Sequence, residues 1–291
     1  MKPESLFIDS NGLKLHVNCW GDPGKPPLIL LHGMRDHSRS WDWIAQALVT
    51  DYRIFAPDLR GHGDSSWAIG GGYSLANFVF DLEVVSLALG LDRFAIVGHS
   101  FGGAIALRYA SIFPDKVIRL AGIECAELPL LREQRESPKP YPQRLREWVE
   151  LELQRRSRSP RFYATLADAE ERMRSENQDL SAETVAHLAR HGVIATGDGG
   201  WRWKFDSAAR AREPDDADGL ELDQMLDAIA CPVMLAYGTA SWVPIPPQER
   251  LDRIRQLSLI EFPGASHWLH HTLRDAFTAA VRSFLSALPE R

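Results

Sequence analysis

The chain has 291 residues, of which 45% are hydrophobic and 25% are charged, and its formal net charge is −6. This composition is typical of a folded domain that buries a large core, and the acidic balance argues against a nucleic-acid partner. The three cysteines lack the spacing of a disulfide framework or a zinc site, and no apolar run is long enough to cross a membrane. Because the first residues also lack the pattern of a signal peptide, we expect a cytoplasmic protein.

Strands and helices alternate along the first 127 residues. An Asn11-Gly12 turn between two alternating segments predicts a β-hairpin, and continuous apolar runs predict buried strands. The six strands are expected at 6–8, 13–20, 27–31, 52–56, 94–97 and 117–123. Amphipathic spacing predicts helices between them, at 40–49, 74–91 and 104–110. This alternation predicts a mostly parallel sheet with helices on both faces and an antiparallel hairpin at one edge.

The pattern changes after Glu127, where about a hundred residues contain amphipathic stretches but no buried strand. A plain loop of that length is uncommon in a compact domain, so we predict a helical lid formed by residues 128–225. The alternation then resumes, with strands expected at 231–237 and 259–262 and helices at 247–257 and 272–288. The chain is therefore divided into a core, residues 1–127 and 226–291, and an inserted lid over one end of the sheet.

The stretch Gly98-His99-Ser100-Phe101-Gly102 joins a predicted strand to a predicted helix. A G-x-S-x-G sequence in this context is typical of a nucleophile elbow, in which the serine occupies a strained turn. The two glycines leave the space in which strand and helix pass closely. Ser100 is therefore the candidate nucleophile, and the helix behind it offers free backbone N–H groups to a developing oxyanion.

Four motifs follow the third, fourth, fifth and last predicted strands, and together they resemble the α/β-hydrolase family. They are His32-Gly33, the loop 60–63, Ser100, and Gly264 to Trp268. The resemblance covers nearly the whole chain and is strongest to capped members, which include esterases, carbon–carbon hydrolases and cofactor-free haloperoxidases. It implies an α/β fold with an eight-stranded, mostly parallel sheet and a helical cap inserted after the sixth strand. Nothing in it indicates a metal or an organic cofactor.

The chemistry of a serine nucleophile requires a base, and His267 lies in a glycine-containing loop after the last predicted strand. The resemblance makes His267 the base that activates Ser100 and later protonates the leaving group. It also implies an oxyanion hole formed by the backbone N–H groups of Met34 and Phe101. We expect His99 to pack beneath the elbow.

The substrate pocket is less legible in the sequence. Asp36 and His37 follow the oxyanion turn, and one or the other is expected to line the pocket floor. His270 and His271 are expected to cover the surface of the last helix. Aromatic walls are expected from Trp201, Trp203, Trp242 and Trp268. These side chains favour a small-molecule substrate with an apolar or aromatic group.

The acid of the catalytic triad departs from the usual family pattern. The family usually carries Asp three residues past a glycine after the seventh strand, but that position is Ser241, and no carboxylate lies between Gly238 and Glu249. Some members place the acid after the sixth strand, where this chain has Glu124 and Glu127. Because Glu124 directly follows the apolar run, where a carboxylate is otherwise costly, we predict Glu124 as the acid.

These features predict a serine hydrolase that cleaves a carboxylic ester through an acyl-enzyme on Ser100. Carbon–carbon bond hydrolysis of diketones, perhydrolysis, acyl transfer and a receptor with little turnover stay open, because the fold does not choose among them. Epoxide hydrolases and haloalkane dehalogenases carry Asp at the elbow and are therefore disfavoured. The oligomeric state is not indicated.

Overall fold

The computed structural model describes residues 2–68, 72–127, 132, 139–156, 161–210 and 219–286. Eight strands form a central sheet: β1 (Glu4–Ser10), β2 (Leu13–Trp20), β3 (Pro27–Leu31), β4 (Arg53–Pro57), β5 (Phe94–His99), β6 (Val117–Ile123), β10 (Val233–Gly238) and β11 (Leu257–Phe262). Their order is β1-β2-β4-β3-β5-β6-β10-β11. Strand β2 pairs antiparallel with both β1 and β4, and all other pairs in this sheet are parallel. The predicted mostly parallel, eight-stranded sheet is therefore confirmed.

Helices cover both faces of the sheet. The described helices, including α4 to α6 of the insertion, are α1 (Asp42–Leu48), α2 (Leu75–Ala88), α3 (Phe101–Ile112), α4 (Tyr141–Arg156), α5 (Leu166–Glu176), α6 (Ala182–Gly192), α7 (Gly219–Ala228), α8 (Gln248–Leu251), α9 (Leu269–Thr272) and α10 (Arg274–Ser286). Short 3₁₀ turns lie at Ser38–Trp41 and Ser207–Arg210. Alternate residues of β3 show how the layers divide: Ile29 and Leu31 pack with α2 and α3, whereas Leu28 and Leu30 pack with α1 and α10.

One predicted helix is much shorter than expected. The pattern predicted a helix at 247–257, but α8 ends at Leu251 and β11 already begins at Leu257. Leu257 pairs with Val233 in the parallel ladder, so the sheet takes residues that helical spacing had assigned to the helix. The predicted last helix, 272–288, is described to Ser286 only.

The insertion contains a small sheet as well as helices, which corrects the prediction of a purely helical lid. Strands β7 (Phe162–Tyr163), β8 (Val193–Ala195) and β9 (Trp201–Trp203) form an antiparallel sheet in the order β7-β9-β8. Each strand has only two or three residues and is mostly not buried, so it leaves no apolar run for a sequence pattern to detect. The boundaries at 128 and 225 stay a prediction, since residue 128 lies outside the described residues and residue 225 lies within α7.

The described part of the insertion contacts loops at the carboxyl ends of the parallel strands. Trp268, in the loop after β11, donates its indole N–H to Asn177 at 2.7 Å. His37, after β3, donates to the carbonyl of Leu188 at 3.0 Å. Further links after β4 join Asp64 to Lys204 (2.7 Å) and Tyr73 to Asp206 (2.7 Å). The insertion therefore lies at the same end of the sheet as Ser100, which directly follows β5.

Two further properties concern the whole described chain. All three cysteines, at positions 19, 125 and 231, are buried free thiols. None of the helices that the structure describes combines the length and apolarity needed to cross a bilayer.

Candidate active site

Ser100 occupies a strained backbone conformation between β5 and α3. Its φ is 51° and its ψ is −113°, values that a non-glycine residue rarely adopts. A Cβ atom at Gly98 would lie 2.7 Å from the backbone of Gly103, and one at Gly102 would lie 2.5 Å from the carbonyl oxygen of His32. Larger residues would thus force the strand, the helix and the neighbouring loop apart. This geometry is that of a nucleophile elbow, in which strain holds the serine hydroxyl at the sheet edge.

The predicted oxyanion donors belong to two segments that meet at the elbow. Phe101 is the first residue of α3, so its backbone N–H has no partner within the helix. Met34 lies in a turn closed by a hydrogen bond from the Asp36 N–H to the Gly33 carbonyl at 3.3 Å. The next residue, Arg35, has a φ of 64°. The close approach of this segment to Gly102 brings the turn and the helix N-terminus to one side of Ser100.

The carboxylate of Glu124 is the centre of the hydrogen bonds around His267. Glu124 directly follows β6, is 0% exposed and has a φ of 49°. Its Oε1 accepts from the backbone N–H of Gly238 at 2.8 Å, and its Oε2 accepts from Nδ1 of His267 at 2.6 Å. With Nδ1 carrying this proton, Nε2 of His267 is left as the basic nitrogen. The structure therefore brings together the predicted pair of Glu124 and His267.

Ser241 contributes a contact that the sequence did not predict. It stands where most of the family has an aspartate, and its hydroxyl donates to Oε2 of Glu124 at 2.6 Å. A Cβ atom at Gly238 would overlap the carbonyl of Ala265, so the loops after β10 and β11 approach closely here. Ser241 thus helps to fix the relocated acid instead of replacing it. The other candidate acid, Glu127, pairs with Arg250 at 3.3 Å.

A group of buried histidines packs around His267. His99 donates from Nε2 to the carbonyl oxygen of His267 at 3.0 Å, and the two ring centroids are 4.6 Å apart. His270 and His271 are also buried, at 1% and 5% exposure, so the expectation that they cover the surface of the last helix is wrong. They belong to the short helix α9, which lies beneath the elbow instead of continuing α10. Burial lowers the pKa of His99, His270 and His271 well below 6.5, so these three rings are neutral at pH 7.

The predicted floor residues Asp36 and His37 are not among the described residues that line a cavity between Arg35 and the insertion, although His37 lines a smaller cavity beside His16 and Asp58. Both are about 5% exposed and lie beneath the insertion. Burial raises the pKa of Asp36 to about 7 and lowers the pKa of His37 to about 3. His37 also contacts the insertion, because its ring donates a hydrogen bond to the carbonyl of Leu188.

The four predicted tryptophans have different environments. Trp242 is 66% exposed, and its ring lies 4.9 Å from that of His267, so it borders the predicted base. Trp268 is tied to the insertion through Asn177. Both Trp201 and Trp203 lie in β9. Of the two, Trp203 lines the cavity between Arg35 and the insertion, and Trp201 is not among its described lining residues.

That cavity has a volume of about 570 Å³ and lies between the turn of Arg35 and the insertion. Aromatic side chains and five arginines form much of its described wall; the aromatic members are Trp67, Tyr163, Trp203 and Phe205. Ser100 and His267 are not among the described residues that line it. One of its lining residues, Arg35, directly follows Met34, the predicted oxyanion donor.

Two groups of described residues have ligand atoms close enough to hold a metal ion. One is Asp42, His187 and His191; the other is His16, Asp58 and Asp64. In both, the buried carboxylate is already engaged: Arg39 binds Asp42 through two nitrogens, and Asp58 accepts from His16 at 2.7 Å. Neither group lies among the Ser100, His267 and Glu124 contacts. The expectation that catalysis uses no metal or cofactor stays a prediction.

The fold and this site define the class of protein. The model of the α/β hydrolase fold family matches residues 26–272, and the chain belongs to that family. The matched part includes the elbow, the Glu124 loop and the His267 loop.

Individual relatives show the same relationship. The human protein named serine hydrolase-like protein 2 is 33% identical over 184 residues, which are 62% of this chain and 58% of that protein. A hypothetical protein of Pseudomonas aeruginosa PAO1 has a solved structure with a TM-score of 0.85 and 27% identity, covering 97% of this chain and 98% of its own. A thioesterase domain from the curacin biosynthetic pathway superposes with a TM-score of 0.79 at 25% identity, covering 97% and 100%. The chain thus spans less than two thirds of the human relative but nearly all of both solved structures.

Proposed function

We propose that this hydrolase cleaves a carboxylic ester through an acyl-enzyme on Ser100. The observation that carries the proposal is the 2.6 Å bond from Nδ1 of His267 to a fully buried Glu124. This bond fixes the tautomer and orientation in which Nε2 accepts a proton, as the base of a serine hydrolase must. The strained elbow at Ser100 supplies the matching nucleophile.

The reaction follows from these positions. Nε2 of His267 takes the hydroxyl proton as Oγ of Ser100 attacks the ester carbonyl carbon. The backbone N–H groups of Met34 and Phe101 stabilise the oxyanion, and Glu124 stabilises the imidazolium. The tetrahedral intermediate then collapses, and His267 gives its proton to the departing alcohol. A water molecule, deprotonated by His267, releases the acid and restores Ser100.

The insertion is proposed to act as a lid that selects the substrate. Its contacts with the loops after β3, β4 and β11 support this role, because those loops surround the elbow. A lid at this position limits the access of water and sets the shape of the entrance. A small-molecule ester is the substrate class that a chamber of this size accommodates.

Labelling with a fluorophosphonate and turnover of p-nitrophenyl acetate and butyrate test the proposal together. We expect covalent labelling at Ser100, measured by mass spectrometry of the modified peptide, and release of p-nitrophenol. The Ser100→Ala protein is the matched control and should neither be labelled nor turn over ester. Labelling without turnover would favour a receptor or carbon–carbon hydrolase, whereas no labelling would remove Ser100 as the nucleophile.

A further inference from the structure

The cavity between Arg35 and the insertion is strongly basic, although the whole chain is acidic. Its described lining residues include five arginines and one glutamate, while the formal net charge of the chain is −6. The charged members are Arg35, Arg155, Arg161, Arg172, Arg202 and Glu176. Such a concentration of one sign inside a concave site raises the local concentration of ligands of the opposite charge.

Two of these arginines are engaged by glutamates of their own helices. Arg155 pairs with Glu152 at 2.5 Å in α4, and Arg172 pairs with Glu176 in α5. By contrast, Arg161 and Arg202 form no ion pair with any carboxylate of the described residues. Their positive charges are therefore not balanced by the protein within this part of the structure.

The aromatic wall holds one of these cations in place. The guanidinium carbon of Arg202 lies 4.7 Å from the ring centroid of Trp67, within the range of a cation–π contact. Elsewhere in the same lining, the rings of Trp203 and Phe205 stack at 5.9 Å with an interplanar angle of 13°, and Trp203 donates to the hydroxyl of Tyr163 at 3.0 Å. The wall thus combines planar apolar surfaces with guanidinium groups, whose donors match the paired oxygens of carboxylates and phosphates.

Arg35 connects this cavity to the predicted oxyanion hole. It directly follows Met34, and its φ of 64° is unusual for a large side chain. Its guanidinium lies 5.7 Å from the ring centroid of Phe205, which belongs to the insertion. A group bound in the cavity would therefore lie on the side of the oxyanion turn that faces the insertion.

We propose that this cavity binds a carboxylate or phosphate group carried by the substrate, with Arg161 and Arg202 as its principal ligands. The substrate of Ser100 is then an anionic ester or thioester whose charged end lies in the insertion while its carbonyl reaches the elbow. This assignment rests on the proposed function and narrows its substrate class. It adds an anionic group to the expected apolar or aromatic substrate, because the aromatic wall is combined with cations.

Two matched pairs of substrates test the proposal and distinguish the two anions. The carboxylate pair is mono-4-nitrophenyl glutarate against 4-nitrophenyl valerate. The phosphate pair is butyryl-coenzyme A against S-butyryl-N-acetylcysteamine. We expect kcat/KM to be at least about tenfold higher for the anionic member of one pair, since a site built for a polar group discriminates against substrates lacking it. The pair that shows the preference identifies the anion.

Charge-removing variants locate the preference in the cavity. In Arg161→Gln and Arg202→Gln the ratio of anionic to neutral kcat/KM should fall about tenfold, mainly through KM. Arg202→Lys, which keeps the charge and guards against a folding defect, should retain part of the preference. Arg146→Gln removes an exposed charge from α4 outside the cavity and should leave the ratio unchanged.

Equal kcat/KM within both pairs, or a preference unaffected by Arg161→Gln and Arg202→Gln, would overturn the anionic-substrate proposal. Either result leaves the proposed function intact as long as neutral esters are hydrolysed and Ser100 is labelled. If Ser100 is not labelled and no ester is hydrolysed, the proposed function itself fails.

Discussion

The loops that carry Glu124, Ser241 and His267 meet the insertion at one end of the sheet. The charged groups of these loops have partners within the protein, whereas two charged groups of the insertion have no ion-pair partner among the described residues. In the loops, the buried carboxylate of Glu124 accepts from Gly238, Ser241 and His267. In the insertion, Arg161 and Arg202 face a cavity without a described carboxylate partner. The hydrogen bonds to Glu124 fix the orientation of its carboxylate. The two arginines, by contrast, can pair with the negative charge of a bound ligand.

This difference separates two tasks. Burial and satisfied hydrogen bonds hold reacting groups in one geometry, which catalysis needs. Exposed side chains on short elements can change without disturbing the core, which substrate selection needs. We therefore expect substitutions in the loops to change the rate of reaction by orders of magnitude and substitutions in the insertion to change substrate preference more modestly.

The largest effect is expected at the nucleophile. Ser100→Ala should lower kcat for ester hydrolysis about 10⁴-fold or more, because the nucleophile and its base act as a unit. The thermal midpoint should not fall, because alanine removes only one partly exposed hydroxyl and leaves the packing contacts around the elbow unchanged. Initial rates with p-nitrophenyl butyrate and a melting curve on the same preparation measure both quantities. Substantial residual activity would place the nucleophile elsewhere.

A somewhat smaller loss is expected when the buried acid is neutralised. Glu124→Gln should lower kcat roughly 10²- to 10⁴-fold, because an amide cannot stabilise the imidazolium and favours the wrong tautomer of His267. Glu127→Gln is the matched control, since Glu127 is equally buried but pairs with Arg250. Steady-state measurements of kcat for both variants and the wild type across neutral pH provide the comparison. Near wild-type turnover in Glu124→Gln would remove Glu124 from the triad.

The position of the acid can be moved to test whether geometry alone decides its role. Ser241→Ala removes one hydrogen bond to Glu124 and should lower kcat about tenfold. This magnitude is taken by analogy with hydrogen-bond partners that orient metal ligands, whose loss commonly costs tenfold or more in activity. Ser241→Asp combined with Glu124→Gln places a carboxylate at the usual family position and should recover part of the activity lost in Glu124→Gln. Kinetic constants for the wild type, Glu124→Gln, Ser241→Asp and the double variant form a double-mutant cycle. An additive cycle would show that the two positions do not share one function.

The sheet and the elbow were predictable because their signals are local. Buried parallel strands such as β3 and β5 are continuous apolar runs, and G-x-S-x-G marks the turn between strand and helix. Glu124 was predictable for a related reason, since a carboxylate directly after a buried strand needs partners. What the sequence did not indicate was that Ser241 would be one of them.

The remaining features depend on tertiary packing. Strands β7, β8 and β9 carry no buried apolar pattern, so the small sheet of the insertion was missed. The arginines of the cavity are spread from Arg35 to Arg202 along the chain, and only the folded insertion brings them together. Likewise, nothing in the sequence places His270 in the core, because helical spacing alone assigns it to a surface.

The smallest expected effect concerns stability and comes from that buried histidine. Burial lowers the pKa of His270 well below 6.5, and neither ring nitrogen has a hydrogen-bond partner among the described residues. Below pH 6.5 the unfolded chain binds a proton that the folded chain does not, so the free energy of unfolding falls as the pH falls. Each such group contributes up to about 1.4 kcal/mol per pH unit, and His99 and His271 act in the same direction.

His270→Leu removes one of these contributions. Leucine introduces no titrating group and no polar atom, so the fall of the thermal midpoint between pH 7 and pH 5.5 should be smaller than in the wild type by about 1.5–2 °C, the shift expected for roughly 1 kcal/mol in a chain of this size. Calorimetric melting curves at matched ionic strength measure both slopes. The leucine variant serves as its own packing control at pH 7, where the histidine is neutral in both folded and unfolded states. If the two proteins lose stability equally on acidification, His270 does not change its protonation on unfolding. The region around His267 would then admit more water than the burial of His270 implies.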